Sequence, residues 1–205
     1  MIIKKLLLFT LLFFSSYLMA TEEPEFNLIL KNGNFEIREY KPKVLAQVIV
    51  MGDFDEASSK GFRLLADYIF GNNQSVDENS KVKMTAPVIV EPISKVIEMT
   101  APVLTERGNK EWIVSFVMPK EYTLDTLPKP NNKNIKITSL PSEKYVIIVF
   151  SGLIRESNYN EQIKLLNNFI NDKNLITLGS PQIARYDPPW TLPFFRRNEL
   201  MIKIN

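Results

Sequence analysis

The sequence predicts an α+β fold: two β-α-β-β units whose strands pool into one curved sheet or open barrel with two helices packed on it. Three observations point there. Two amphipathic helix patterns stand 101 residues apart, RLLADYI at 63–69 facing KLLNNFI at 164–170. Each is preceded by a strand that ends in glycine, at Gly52 and at Gly152. Further back, Phe35-Glu36-Ile37 faces Ile135-Lys136-Ile137, again at an offset of 100. Landmarks of different kinds falling in register within one residue mark an internal duplication, with pseudo-repeats over about 35–118 and 135–205 of a single domain spanning 21–205.

The elements follow in order. From Phe35 to Met51 the chain is rich in Val, Ile and aromatics, the composition of extended structure, broken at Lys41-Pro42-Lys43 where proline suits a bend or edge. Asp53 is placed to cap a helix, with Glu56 three residues later as in a capping box. Through 55–70, Phe62, Leu65, Ala66 and Ile69 recur at the spacing of one buried face, and Gly71-Asn72-Asn73 ends the run. After a polar loop come two short strands around the pentapeptide MTAPV, which occurs at Met84–Val88 and again at Met99–Val103, and then a strand over Trp112–Met118. Leu127-Pro128-Lys129-Pro130 leads into the second unit, whose helix stripe is Ile163, Leu166 and Ile170. Keeping the helix offset, Pro87 meets Pro188 of Tyr186-Asp187-Pro188-Pro189-Trp190, and Trp112–Val117 meets Glu199–Ile204 at an offset of 87. The first unit thus carries about fourteen extra residues, which are assigned to a hairpin holding the second MTAPV.

Composition narrows the function. Residues 1–20 place Lys4 and Lys5 before an apolar run from Leu6 to Phe14 and a cleavage position after Ala20, the layout of a secretory signal peptide, so an exported, periplasmic protein is expected. The apolar run is short for a spanning helix, and an uncleaved N-terminal anchor is the alternative to cleavage. Both Lys residues that make the formal charge of +2 lie in that segment, leaving the rest neutral, without the basic footprint of a nucleic-acid partner. The chain contains no Cys and no His. Those absences exclude disulfides, Ser-His-Asp and Cys-His triads, and the usual zinc and two-His iron sites.

MTAPV, FVMPKEY at Phe116–Tyr122, FSG at Phe150–Gly152, YDPPW, and FFRRNE at Phe194–Glu199 together resemble the SOUL, or heme-binding protein, family. The resemblance runs from about Phe35 to the C-terminus. It implies an antiparallel, distorted barrel-like sheet with two flanking helices, and noncovalent binding of heme or a related tetrapyrrole in an apolar cleft beside the first helix. Such a site needs an apolar slot, cations for the propionates and, optionally, an axial ligand. Phe62, Leu65 and Ile69 are the expected wall, with Met84 or Met99 nearby. Lys60, Arg63 and one of Arg196 and Arg197 are the propionate candidates, Arg197 having an ion pair to Glu199 as the alternative. With no His available, Met84 or Met99 is the thioether that could reach iron.

Thr85 and Thr100 have no base to activate them, so MTAPV reads as structural: proline ends strand pairing and Ala admits a close backbone approach. Trp190, Phe194 and Phe195 are expected in the core or at a pocket rim rather than at a membrane, because a single loop buries little area. The expectation is a non-enzymatic, monomeric carrier of heme. The alternative is a module binding another amphipathic molecule or a peptide, since the fold also resembles the effector-binding domains of certain transcription regulators. A hydrolytic reading would rest on Glu91, Glu98 or Asp67 as base, each more plausibly a solvated acid.

Overall fold

The computed structural model describes residues 21–74, 81–93 and 110–205. Their order is β1 (Phe26–Asn32), β2 (Phe35–Tyr40), β3 (Lys43–Gly52), α1 (Phe54–Ile69), β4 (Asn73–Gln74), β5 (Val88–Pro92), β6 (Lys110–Val117), β7 (Lys129–Pro130), β8 (Ile135–Leu140), β9 (Glu143–Phe150), α2 (Glu156–Asp172), β10 (Thr177–Arg185), a 3₁₀ turn (Pro193–Phe195) and β11 (Asn198–Ile204). Nine strands form one antiparallel sheet in the order β1-β2-β9-β11-β10-β5-β6-β3-β8. It is barrel-like but open, with β1 and β8 as its free edges.

That order reads the same from both ends once β1 is set aside and the two units are exchanged. Each unit gives its first strand to the other: β8 pairs with β3 and β2 pairs with β9. Ala46 faces Ile137, and Val146 faces Ile37. Moving 46 up by 100 and 137 down by 100 turns one pair into the other, so the offset read from sequence holds in the register. The units meet along β5 and β10, where Val90 faces Ile183. Exchanging these two moves each by 93. For the last strands, Val48 faces Val114 and Ile148 faces Leu200, a shift of 86.

These registers correct the sequence alignment of the second half of each unit. Of the fourteen extra residues, seven fall before β5 and seven between β5 and β6. Pro87 therefore has its counterpart inside β10, and Tyr186–Trp190 belongs to the β10–β11 connection. The misalignment arose because prolines were matched to prolines, although β10 carries a register shift between Leu178 and Gln182. Strand β1 was not expected at all.

Alternation along the strands divides the core. Ala46, Val48 and Val50 of β3 and Val114 and Phe116 of β6 pack under α1. Val146, Ile148, Leu200 and Ile202 pack under α2. The opposite face of the sheet holds Tyr40, Leu45, Tyr145, Ile147, Ala184 and Met201. Close seating of α1 is enforced by Gly61, where a Cβ would lie 2.4 Å from Val114 Cγ2.

Candidate functional site

Helix α1 begins as its sequence dictates. The Asp53 carboxylate accepts a hydrogen bond from the Glu56 backbone N–H at 2.8 Å, satisfying a free donor of the first turn. The apolar stripe then divides. Leu65 and Ile69 are fully buried in the core beneath α1, whereas Phe62 is half-buried and meets Phe116 edge-on at 5.4 Å. Lys60 and Arg63, one turn apart, are exposed on the helix. Lys60 and Arg63 thus share an exposed flank, whereas Phe62, two positions from Lys60 and so on another side of the helix, packs toward the sheet.

The remaining candidates lie elsewhere. Met84 is partly exposed in the segment leading to β5. Met99, Thr100 and Glu98 lie outside the described residues. Arg197 lies at the foot of β11 on the face of the sheet opposite the helices. Its guanidinium donates to Glu199 at 2.8 Å and pairs with Glu23 at 3.0 Å, and it stacks on the Tyr186 ring at 3.8 Å. It does not converge with Lys60 and Arg63; the ion pair to Glu199 considered from sequence is the arrangement found.

On that face lies a polar network that sequence reading missed. Glu199 is fully buried and accepts from Arg38 Nη1 at 3.0 Å, Arg38 Nη2 at 3.1 Å and Tyr186 Oη at 2.8 Å. Arg38 also donates from Nε to Glu36 at 2.6 Å and from Nη1 to the Tyr40 hydroxyl at 3.0 Å. Burial raises the Glu36 pKa, but hydrogen bonds from Lys31 and Arg38 outweigh it and hold the carboxyl below its usual range. Alternation in Phe35–Tyr40 could have revealed it, since Glu36, Arg38 and Tyr40 fall on one side. Nearby, the Lys43 ammonium lies 4.2 Å above the Tyr40 ring, and burial pushes its pKa down to about 8 against the pull of Glu143. Glu91 is pushed up by burial, opposed by a hydrogen bond from Gln182 at 3.0 Å.

The first MTAPV copy is structural, as expected. The Thr85 hydroxyl donates to the Val117 carbonyl, the Ala86 N–H donates to the Glu22 carbonyl at 2.9 Å, and Pro87, after a cis peptide, ends the segment just before β5. Residues 22–25 form a strap across this end of the sheet, tied also by Glu25 to Lys41 at 2.6 Å and Lys120 at 3.0 Å. The strap borders a cavity of about 630 Å³ floored by Val44, Val117 and Met118. A second hollow of about 740 Å³ flanks α2, lined by Phe35, Ile148, Phe150, Leu165 and Phe169. At the equivalent place beside α1 the linker packs Leu127, and the Tyr68 hydroxyl donates to the Pro128 carbonyl at 2.8 Å. Both hollows are of small-molecule size. Neither is lined by the predicted α1 residues.

The family model of the SOUL heme-binding protein matches residues 21–203. The chain belongs to the SOUL heme-binding family. No curated protein matches it. Among solved structures, a SOUL-like architecture recurs in the EcmrR C-terminal domain, 14% identical, covering 83% of this chain and 96% of that one with a TM-score of 0.60. An uncharacterised conserved protein from Listeria innocua is 12% identical over 84% of this chain and 92% of its own, TM-score 0.60. A hydrolase from Listeria innocua is 12% identical over 86% and 94%, TM-score 0.56. At these identities the likeness is one of fold.

Membership in the SOUL family implies a tetrapyrrole, and α1 meets part of the requirement. Lys60 and Arg63 present two exposed cations one turn apart, suited to a pair of carboxylate tails, while the apolar slot that a flat ring needs is not formed by the α1 residues. Leu65 and Ile69 face inward, in the core beneath α1. Met84 offers a thioether among the described residues, and no group of three or more acidic, His or Cys side chains gathers there to hold a bare metal ion.

Proposed function

We propose that this protein is a non-enzymatic binding protein that holds heme or a related tetrapyrrole reversibly, for scavenging, carriage or buffering. The observation that carries the reading is the family match over residues 21–203. On α1, Lys60 and Arg63 would pair the propionates; Met84, in the segment before β5, is the described thioether. Burial of the macrocycle drives such binding at about 25 cal/mol per Å² of apolar area, before ordering costs. Bound heme would supply a redox-active iron, while the chain's own part is to exclude water and orient the carboxylates. The layout of residues 1–20 supports export with a periplasmic destination, and 21–205 as the working single domain. In a K60A/R63A protein, the affinity for hemin should fall by about 2–10-fold, the worth of two exposed ion pairs; unchanged affinity would place the propionates elsewhere.

A second reading is favoured by one observation, the open hollow beside α2, whose apolar floor suits another amphipathic molecule or a peptide. Mass spectrometry of the protein as isolated separates the two. Co-purified porphyrin supports the first; a lipid or peptide in its place supports the second.

A further inference from the structure

The β10–β11 connection was expected to hold its aromatics in the core or at a pocket rim, and it holds them in neither. Trp190 is 83%, Leu192 55%, Phe194 64% and Phe195 70% exposed. Apolar side chains left this open on a floppy loop would collapse onto the nearest surface. Here the loop is held out. Pro188, Pro189 and Pro193 stiffen it, Arg196 Nε donates to the Thr191 carbonyl at 2.7 Å, and its Nη2 donates to the Pro189 carbonyl. The Asp187 carboxylate accepts the Arg197 N–H at 2.6 Å, clamping the two feet, and the Gly152 N–H donates to the Pro193 carbonyl at 2.9 Å. A rigid frame that presents four large apolar side chains outward is a docking surface.

Two features select its partner. From 188 to 197 the loop contains Trp, Leu and two Phe with two Arg and no acid, the combination that settles at the boundary between headgroups and acyl chains. The chain's N-terminal segment also leaves the fold at this same end. Glu22 bridges Thr85, and Glu23 pairs with Arg197 at the loop's foot, so a chain that keeps residues 1–20 joins their apolar run, Leu6–Phe14 behind Lys4 and Lys5, to the fold beside the loop. We propose that the 188–196 loop inserts its aromatic side chains into the interfacial layer of a lipid bilayer, with this end of the sheet facing the membrane. The inference is independent of whether a tetrapyrrole is bound.

The chain's two tryptophans allow a direct test on the full-length protein, because the reporter lies in the loop itself and is not confused with any attachment through residues 1–20. The W112F protein, which reports Trp190 alone, is mixed with phosphatidylcholine vesicles carrying bromine on the acyl chains. Its emission should shift to the blue and be quenched. The W190F protein, reporting Trp112, should not be quenched. F194S/F195S in the W112F background should lose the quenching; these side chains are exposed, and unchanged Trp112 emission in F194S/F195S/W190F checks that the fold is kept. Absence of quenching in protein that sediments with the vesicles would overturn the proposal. So would Trp190 emission already blue-shifted without lipid, which would mean that a second copy or the chain's own residues cover the loop.

Discussion

Gly61→Ala probes how tightly α1 is seated. A Cβ at this position would lie 2.4 Å from Val114 Cγ2, 2.5 Å from Val114 Cβ and 3.0 Å from Val114 Cγ1. Ordinary contact begins near 3.4 Å, so helix and strand must separate by about 1 Å. Val114 cannot yield: it is fully buried, β-branched and fixed on β6 opposite Val48 and Val90. Two effects compete. Ala is better than Gly in a helix by about 1 kcal/mol, while overpacking costs about 1–3 kcal/mol or more. With both methyl groups of Val114 in the way, the upper end applies, and G61A should lose about 2 kcal/mol net. Urea unfolding followed by circular dichroism would show a lowered midpoint with an unchanged slope. Val114→Ala alone removes two buried carbons and should cost about 2 kcal/mol. In G61A/V114A the two Cγ contacts are gone but the 2.5 Å approach to the Cβ of residue 114 remains, so the Gly61 substitution should cost less than in the parent and stay destabilising, a coupling of about 1 kcal/mol. Strict additivity of the two substitutions, or a G61A protein as stable as the parent, would refute the close seating of α1.

Three further outcomes follow from the charges and the cap. Glu199→Gln removes a fully buried carboxylate from between Arg38 and Arg197 and should destabilise by about 3 kcal/mol in chemical denaturation, because the buried Arg38 is left with Glu36 alone and Arg197 with the exposed Glu23. Lys43 has a folded pKa of about 8 against 10.5 for the free group, so between those values the unfolded chain binds more protons and stability rises with pH; a Lys43→Met protein should lose that rise in a midpoint-versus-pH series while still folding. Asp53→Ala leaves the Glu56 N–H without its acceptor and should cost about 1 kcal/mol, read as a fall in the urea midpoint.

Local signals were fully legible in the sequence. The Asp53 cap and the α1 stripe reappear because each is set by neighbours along one helix, and the first-strand offset of 100 because the two units keep the same spacing from first strand to second. The exchange of β2 and β8 between the units was not legible, since a strand's alternation names its buried face and says nothing of which neighbour it pairs with. The equivalence of β5 with β10 failed for a related reason: proline spacing was taken as register, and a bulged strand breaks that link. At the site, helical spacing grouped Phe62, Leu65 and Ile69, but depth along the stripe is tertiary, and two of the three turned inward. The loop aromatics were misjudged because Trp and Phe are usually buried; the three prolines around them were the available sign of a frame that prevents it.

The central claim is tested most directly by titrating the purified 21–205 chain with hemin at neutral pH and following the Soret band, with serum albumin in parallel. Saturable change of the band at about one equivalent is the predicted result. A chain that gives no saturable change while albumin does would contradict tetrapyrrole binding and leave the hollow beside α2 to explain what this fold holds.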